Sequence, residues 1–315
     1  MAWDRGRHAA ALAEPPVPAP EPDPLPPLTA EERVREAARR RGWRTSPLYR
    51  NKAYLFALFV VAAVVLVGLF APVLAPYPPD QPDLSSSLAP PSPEHLLGTD
   101  KQGRDILSRL IWGTRTTLLS ALFVVFISEV IGVPLGLIAG YFGGWVDALI
   151  MRAWDVLLGF PALLLAFVIV AVFGRGLTNA VIALGIVYVP MISRIVRGVV
   201  LVQRELAYVE AARALGASHL RVLGHILRNS LSPILVQSTI DLGYAILDLA
   251  ALSYLGLGVQ PPTADWGAML ADGREYLILS PYTAVAAGLA IMIAVVAFNL
   301  LGDGLQAHFD PKRRR

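Results

Sequence analysis

Long apolar runs separated by polar stretches dominate this chain and predict a bundle of membrane-crossing helices. Residues 53–76, 117–139, 156–174, 177–197, 234–257 and 282–305 each carry enough apolar sequence to cross a bilayer core of about 30 Å, which takes roughly 20 helical residues. Pro190 inside the fourth run predicts a kink. The fold class expected is therefore all-α and polytopic, with six transmembrane helices. Between the fourth and fifth runs lies a polar segment, residues 205–233, reading ELAYVEAARALGASHLRVLGHILRNSLSP. Leu206, Val209, Ala212 and Leu215 recur at helical spacing, and Leu220, Leu223 and Leu227 form a second stripe. Gly216 suits the left-handed end of the first helix, and Ser218 suits the cap of the second. Pro233 suits the first turn of the helix that follows. The segment predicts a helix, a sharp bend and a second helix held between two spans.

Composition changes the picture only by confirming its solvent. Hydrophobic residues make up 55% of the 315 and charged residues 16%, and the mean hydropathy is +0.55. A soluble domain has about 25% charged residues, so the balance points to lipid. The net charge of +3 is modest, and there are no cysteines, which excludes disulfides, thiolate metal sites and cysteine nucleophiles. The five histidines have no metal-ligand spacing within a span. Residues 1–52 form a proline-rich, basic tail in which Thr29 to Arg41 has the pattern of a short helix, and no cleaved signal peptide is visible. Residues 306–315 form a basic tail at the other end.

Residues 77–116 make a Pro/Ser-rich loop followed by HLLGTDKQGRDILSRLIWGTRTTL, residues 95–118. Ile106, Leu107, Leu110 and Ile111 share a face with Arg104, Arg109 and Arg115 outside it, which predicts an amphipathic helix lying at the membrane interface. Arginine is dense in the N-terminal tail, in residues 194–228 and at the C-terminus, so both tails and the 205–233 segment are expected in the cytosol. Lys101, Arg104, Arg109 and Arg115 then fall on the opposite side and violate that rule.

Glu210-Ala211-Ala212, Gly216 and Ile226-Leu227 resemble the EAA loop of ABC-type importer permeases. Leu97 to Asp100, Gly103 to Asp105, Ser108-Arg109, Gly113 and Arg115 resemble a further segment of the dipeptide/oligopeptide/nickel permease family. Arg152, Asp155 and Phe160-Pro161 match it too, as does LSYLGLGVQPPT through WGAML, residues 252–270. The resemblance runs from about Lys52 to the C-terminus. It implies the type I importer fold and the C-type permease subunit of an inner-membrane importer of peptides, with nickel or another small solute as the alternative. It also implies a second permease subunit, two cytosolic ATPase subunits that bind ATP and Mg, and an extracytoplasmic substrate-binding protein. Within it, Glu210, Ala211, Ala212, Gly216, Ile226 and Leu227 would couple the spans to the ATPase.

Glu129, Asp241 and Asp248 are acids within spans, where charge is costly. They either line a polar pathway or bond to neighbouring helices. Asp241 and Asp248 are seven apart and share nearly one helix face. Catalytic residues, a cofactor and a metal are not expected: no G-x-x-x-x-G-K-[ST] phosphate loop is present. Three other classes fit the sequence less well. A DNA-binding helix-turn-helix fits the rhythm of residues 212–227 but not their membrane setting. An ion-driven secondary transporter would need an inverted repeat or paired broken helices. A membrane enzyme would need a convergent catalytic set.

Overall fold

The computed structural model describes residues 52–309, so residues 1–51 and 310–315 of the two predicted tails lie outside the described residues, while residues 306–309 of the predicted C-terminal tail continue the last helix. Helices α1 (Lys52–Leu69) and α2 (Ala71–Leu74) lead into a loop containing a single 3₁₀ turn, Leu84–Ser86. Then come α3 (Ile106–Phe142), α4 (Gly144–Leu158), α5 (Ala162–Phe173), α6 (Leu177–Gln203) and α7 (Ala207–Ala214). Three more follow: α8 (His219–Tyr254), α9 (Trp266–Arg274) and α10 (Tyr282–Phe309). Five of these (α1, α3, α6, α8 and α10) are long and apolar enough to cross a membrane, and α4 with α5 makes a sixth candidate bent by 85°.

The boundaries differ from the sequence expectation where one local signal outweighed another. The first helix stops at Leu69 rather than reaching residue 76, because Pro72 has no N–H to bond back to the carbonyl of Gly68. The predicted interfacial helix and the second span are one helix of 37 residues, α3, and residues 95–105 are not helical. Asp105 starts it: its carboxylate accepts the Ser108 N–H at 2.7 Å. Nothing between Ile106 and Thr117 ends it, and Gly113 is held inside it against Trp266. At about 1.5 Å per residue α3 is roughly 55 Å long, well beyond the apolar core of a bilayer. The third span is broken at Gly159 to Pro161, which leaves only 12 residues in α5.

Pro233 lies within α8, not at a helix start, so the second helix of the polar segment and the fifth span are continuous. Pro190 likewise sits inside α6, which runs unbroken through it. Membrane helices tolerate such prolines because neighbouring groups satisfy the freed backbone.

Packing follows membrane rules. The apolar driving force between helices is weak in lipid, so close approach of backbones takes over. The most extensive pairing is α3 with α6, along a row of glycines one turn apart. A Cβ at Gly132 would lie 2.2 Å from Ile192 Cγ2, one at Gly136 2.5 Å from the Ser193 carbonyl, and one at Gly140 2.8 Å from Val200 Cβ. At the far end of the chain, a Cβ at Gly304 would meet the Tyr54 ring at 2.0 Å, so α10 closes onto α1 in the same way. Three apolar clusters result among the described residues, the smallest formed by Ile106, Met269 and Ala287. A central one contains Val124, Leu184, Ile246, Leu252, Trp266 and Phe298. Another gathers Leu137, Tyr141, Val196, Val200, Val209, Val222 and Ile226 around the polar segment.

Candidate functional site

The polar segment is bolted to the ends of α3 and α6. Arg204, just past α6, donates to the Gly140 carbonyl at 2.8 Å. Tyr208 donates its hydroxyl to Gln203 at 2.8 Å. Val209 on α7 and Val222 and Ile226 on α8 are fully buried in the cluster with Leu137 and Tyr141. Tyr141 is the hub: its hydroxyl shares a 2.9 Å hydrogen bond with His219 Nδ1, and the Arg213 guanidinium lies 5.2 Å from the ring centre. Arg213 therefore sits on an aromatic face, and Glu210 makes no ion pair among the described residues.

The bend has a defined geometry. Gly216 has φ +77°, a conformation that a Cβ disfavours. Its N–H bonds the Arg213 carbonyl at 2.9 Å, and the Ala217 N–H bonds the Ala212 carbonyl at 3.0 Å. These two bonds close the end of α7 as a Schellman motif. Ser218 stands at the cap position with extended backbone and no side-chain cap bond.

The six candidate residues divide by exposure. Ile226 is buried, Ala212 and Leu227 are half-buried, and Glu210, Ala211 and Gly216 are exposed. The apolar stripes also split. Val209, Ala212, Leu223 and Leu227 pack inward, while Leu215 and Leu220 are 88% and 82% exposed on either side of the bend. The outer surface thus combines a free carboxylate with two leucines that have nothing to bury them. Sequence periodicity placed all of these leucines on packed faces. What it lacked is the tertiary anchoring by Val209, Val222 and Tyr141 that fixes which side points out.

The acids within spans each have a partner in the chain. Glu129 accepts the Ser238 hydroxyl, Asp241 accepts from Gln237 at 2.8 Å, and Asp248 accepts the Tyr188 hydroxyl at 2.7 Å. Asp241 is buried, and Glu129 and Asp248 are half-buried.

The opposite end holds a second polar constellation, built from the residues expected in an interfacial helix. Arg104 and Arg109, predicted to face the membrane surface, are 2% and 3% exposed. Arg104 pairs with Asp100 at 2.7 Å and approaches Asp272 at 3.7 Å. Arg109 donates to the carbonyls of Pro79 at 2.9 Å and Pro262 at 3.2 Å, and meets Asp100 at 3.5 Å. Lys101 pairs with Asp272 at 3.0 Å, which holds its ammonium above the ordinary lysine value. Asp265 caps α9 and accepts the Thr117 hydroxyl at 3.0 Å. Burial pushes its carboxyl up, against the hydrogen bonds that it accepts. The Trp266 indole donates to the Leu110 carbonyl at 3.1 Å. This knot ties residues 76–105 and the start of α3 to the α8–α9 loop. Among the described residues no group of three acids, histidines or cysteines could hold a metal.

The bundle of apolar helices with an anchored, outward-facing helix pair at one end defines a multi-pass membrane protein. A chain of the MetNI methionine ABC transporter in an inward-facing conformation shares the fold, with TM-score 0.53 at 20% identity over 65% of this chain and 98% of that one. The fold is that of a type I ABC importer permease. The chain belongs to the family of binding-protein-dependent transport system inner membrane components, whose model matches residues 132–315. Residues 40–91 match the N-terminal transmembrane domain of oligopeptide transport permease C. The dipeptide transport system permease protein DppC of Alkalihalophilus pseudofirmus is 43% identical over 95% of this chain and 97% of its own length. The glutathione transport system permease protein GsiD of Pectobacterium atrosepticum is 42% identical over 89% of this chain and 94% of its own.

Proposed function

We propose that this subunit forms half of the pathway for di- or oligopeptides in an ATP-driven importer, and that it takes its power stroke through residues 205–233. The observation that carries the coupling role is the exposed surface of Glu210, Ala211, Leu215 and Leu220 on a helix pair rigidly anchored to α3 and α6. Two large leucines left bare beside an unpaired carboxylate suit burial in a partner's groove. Gly216 sets the bend that presents them, while Ala212, Ile226 and Leu227 carry a push on that surface into α3 and α6. The chain has no phosphate loop, so nucleotide chemistry falls to the partners. Those partners are a second permease, two ATPase subunits that bind ATP and Mg, and an extracytoplasmic binding protein.

Peptides are the favoured cargo because the relatives of high identity and near-complete coverage are dipeptide and glutathione permeases. Glu129 and Asp248 keep part of their surface open and are the acids proposed to line the pathway; Asp241 is shut among the helices. Both termini are placed in the cytosol. That orientation rests on the arginines of residues 194–228; of the basic residues that break the rule, Lys101, Arg104 and Arg109 each meet an acid, and Arg115 stays an exposed exception.

The test is uptake of a labelled dipeptide by proteoliposomes holding the complete importer and its binding protein. ATP-dependent accumulation that is lost in Glu210→Ala and Leu215→Glu supports the reading. Accumulation driven by an ion gradient without the ATPases contradicts it.

A further inference from the structure

At the end away from the polar segment, a groove of about 860 Å³ opens between α3 and α6. Its mouth carries two charges of opposite sign. The Arg115 side chain is exposed and makes no ion pair among the described residues; its guanidinium lies 5.8 Å from the Trp112 ring centre. Asp80 meets Arg109 at 3.4 Å yet remains 46% exposed. Beyond the mouth the lining is mainly apolar, with the hydroxyl residues Thr116, Ser120 and Thr178 among it. Leu119, Phe123 and Ile182 stay 46%, 56% and 44% exposed, so something apolar has to cover them.

The lining sets the length of that occupant. Arg115, Leu119, Phe123 and Ile127 lie four apart in one row along α3. They span roughly 18 Å at 1.5 Å per residue, close to the ~15 Å apolar depth of one leaflet. A dipeptide reaches only about 7 Å and would leave most of the wall bare, and a longer peptide would lay its backbone N–H and C=O groups against apolar side chains that cannot bond them. The charge pair sets the headgroup. A phosphate with an ammonium beside it complements Arg115 and Asp80 together, whereas a purely anionic headgroup meets repulsion at Asp80.

We propose that the groove between α3 and α6 holds a phosphatidylethanolamine molecule. Its phosphate lies on Arg115, its ammonium faces Asp80, and one acyl chain runs along Leu119, Phe123 and Ile127. The site is independent of the cargo and of the ATPase coupling.

The experiment places p-benzoylphenylalanine at Phe123 in the assembled importer, in membranes of mixed phosphatidylethanolamine and phosphatidylglycerol. Adducts after illumination are identified by mass spectrometry. The same residue at Phe126, which is 59% exposed on α3 but outside the groove lining, reports bulk lipid. The expected result is a phospholipid adduct at position 123 enriched in ethanolamine headgroup relative to position 126. Arg115→Gln should lower that enrichment about tenfold, in line with loss of a charge-assisted phosphate contact. Asp80→Asn should shift the preference towards the glycerol headgroup. A cross-link to the companion permease would overturn the proposal, since another protein would then cover the groove. Adducts matching bulk lipid, or unchanged by both substitutions, would overturn it as well.

Discussion

Two polar regions interrupt the apolar chain, and they are solved in opposite ways. In the knot around Arg104 and Arg109, buried charges meet one another: Asp100 at 2.7 Å and Asp272 at 3.7 Å for the first, Asp100 at 3.5 Å and two carbonyls for the second. In the 205–233 segment the inner face is apolar and packed, while Glu210, Leu215 and Leu220 face outward, and Glu210 has no ion-pair partner among the described residues. Family-like motifs mark both regions. One is satisfied internally and holds the fold together; the other is left open, as the proposed encounter with a partner requires. The difference lies in burial and pairing, not in residue type.

The sharpest way to break the comparison is to remove one member of the knot. Arg104→Ala strands Asp100 without its main partner and should cost about 3–5 kcal/mol. A large fall in the thermal midpoint of the purified subunit would show this. Arg104→Met combined with Asp100→Leu removes that stranded charge but takes one acid from buried Arg109, which keeps Asp80 and two carbonyls, so it should cost less than Arg104→Ala without being neutral. At the other region Gly216→Pro removes the N–H bonded to Arg213 and forbids φ +77°. The subunit should still reach the membrane, but ATP-driven uptake should fall by about tenfold or more, given a local distortion of ~3 kcal/mol.

Smaller effects sharpen the contrast. Glu210→Ala and Leu215→Ser should shift stability by less than about 0.5 kcal/mol, as exposed positions do, while still lowering uptake. Arg213→Ala should cost about 0.5–1 kcal/mol through the lost contact with the Tyr141 ring. Lys101→Met should cost at most about 1 kcal/mol near neutral pH, since its pair with Asp272 is partly exposed. The folded value of Lys101 is raised above 10.5. Its contribution should therefore be constant at neutral pH and vanish only as the pH rises through that raised value. Melting curves of wild type and variant at several pH values check the sign.

Hydropathy made the bundle legible, because a run of apolar residues long enough to cross a bilayer has few other solutions. The bend at Gly216 was legible for a similar reason: few residues other than glycine end a helix that way. Helix continuity was not. Residues 95–118 looked like an interfacial helix because arginine on one face usually means water or headgroups. Here Arg104 and Arg109 are buried through contacts with Asp272 and Pro262, more than 150 residues away. Pro233 read as a boundary, yet α8 runs through it. The glycine row at Gly132, Gly136 and Gly140 is visible in the sequence as a four-residue repeat. Only the structure supplies Ile192, Val196 and Val200 as its counterpart. Long-range pairing of this kind leaves no local signature.

The outward face of residues 205–233 is proposed as a docking surface, and the knot is not. The most direct test is purification of the subunit from its native membrane in mild detergent, with mass spectrometry of the proteins that accompany it. Wild type should bring a second permease and P-loop ATPases. Glu210→Ala combined with Leu215→Glu should keep the permease and the thermal midpoint but lose the ATPases. Retention of the ATPases by that variant, or recovery of the wild-type chain alone, would contradict the account.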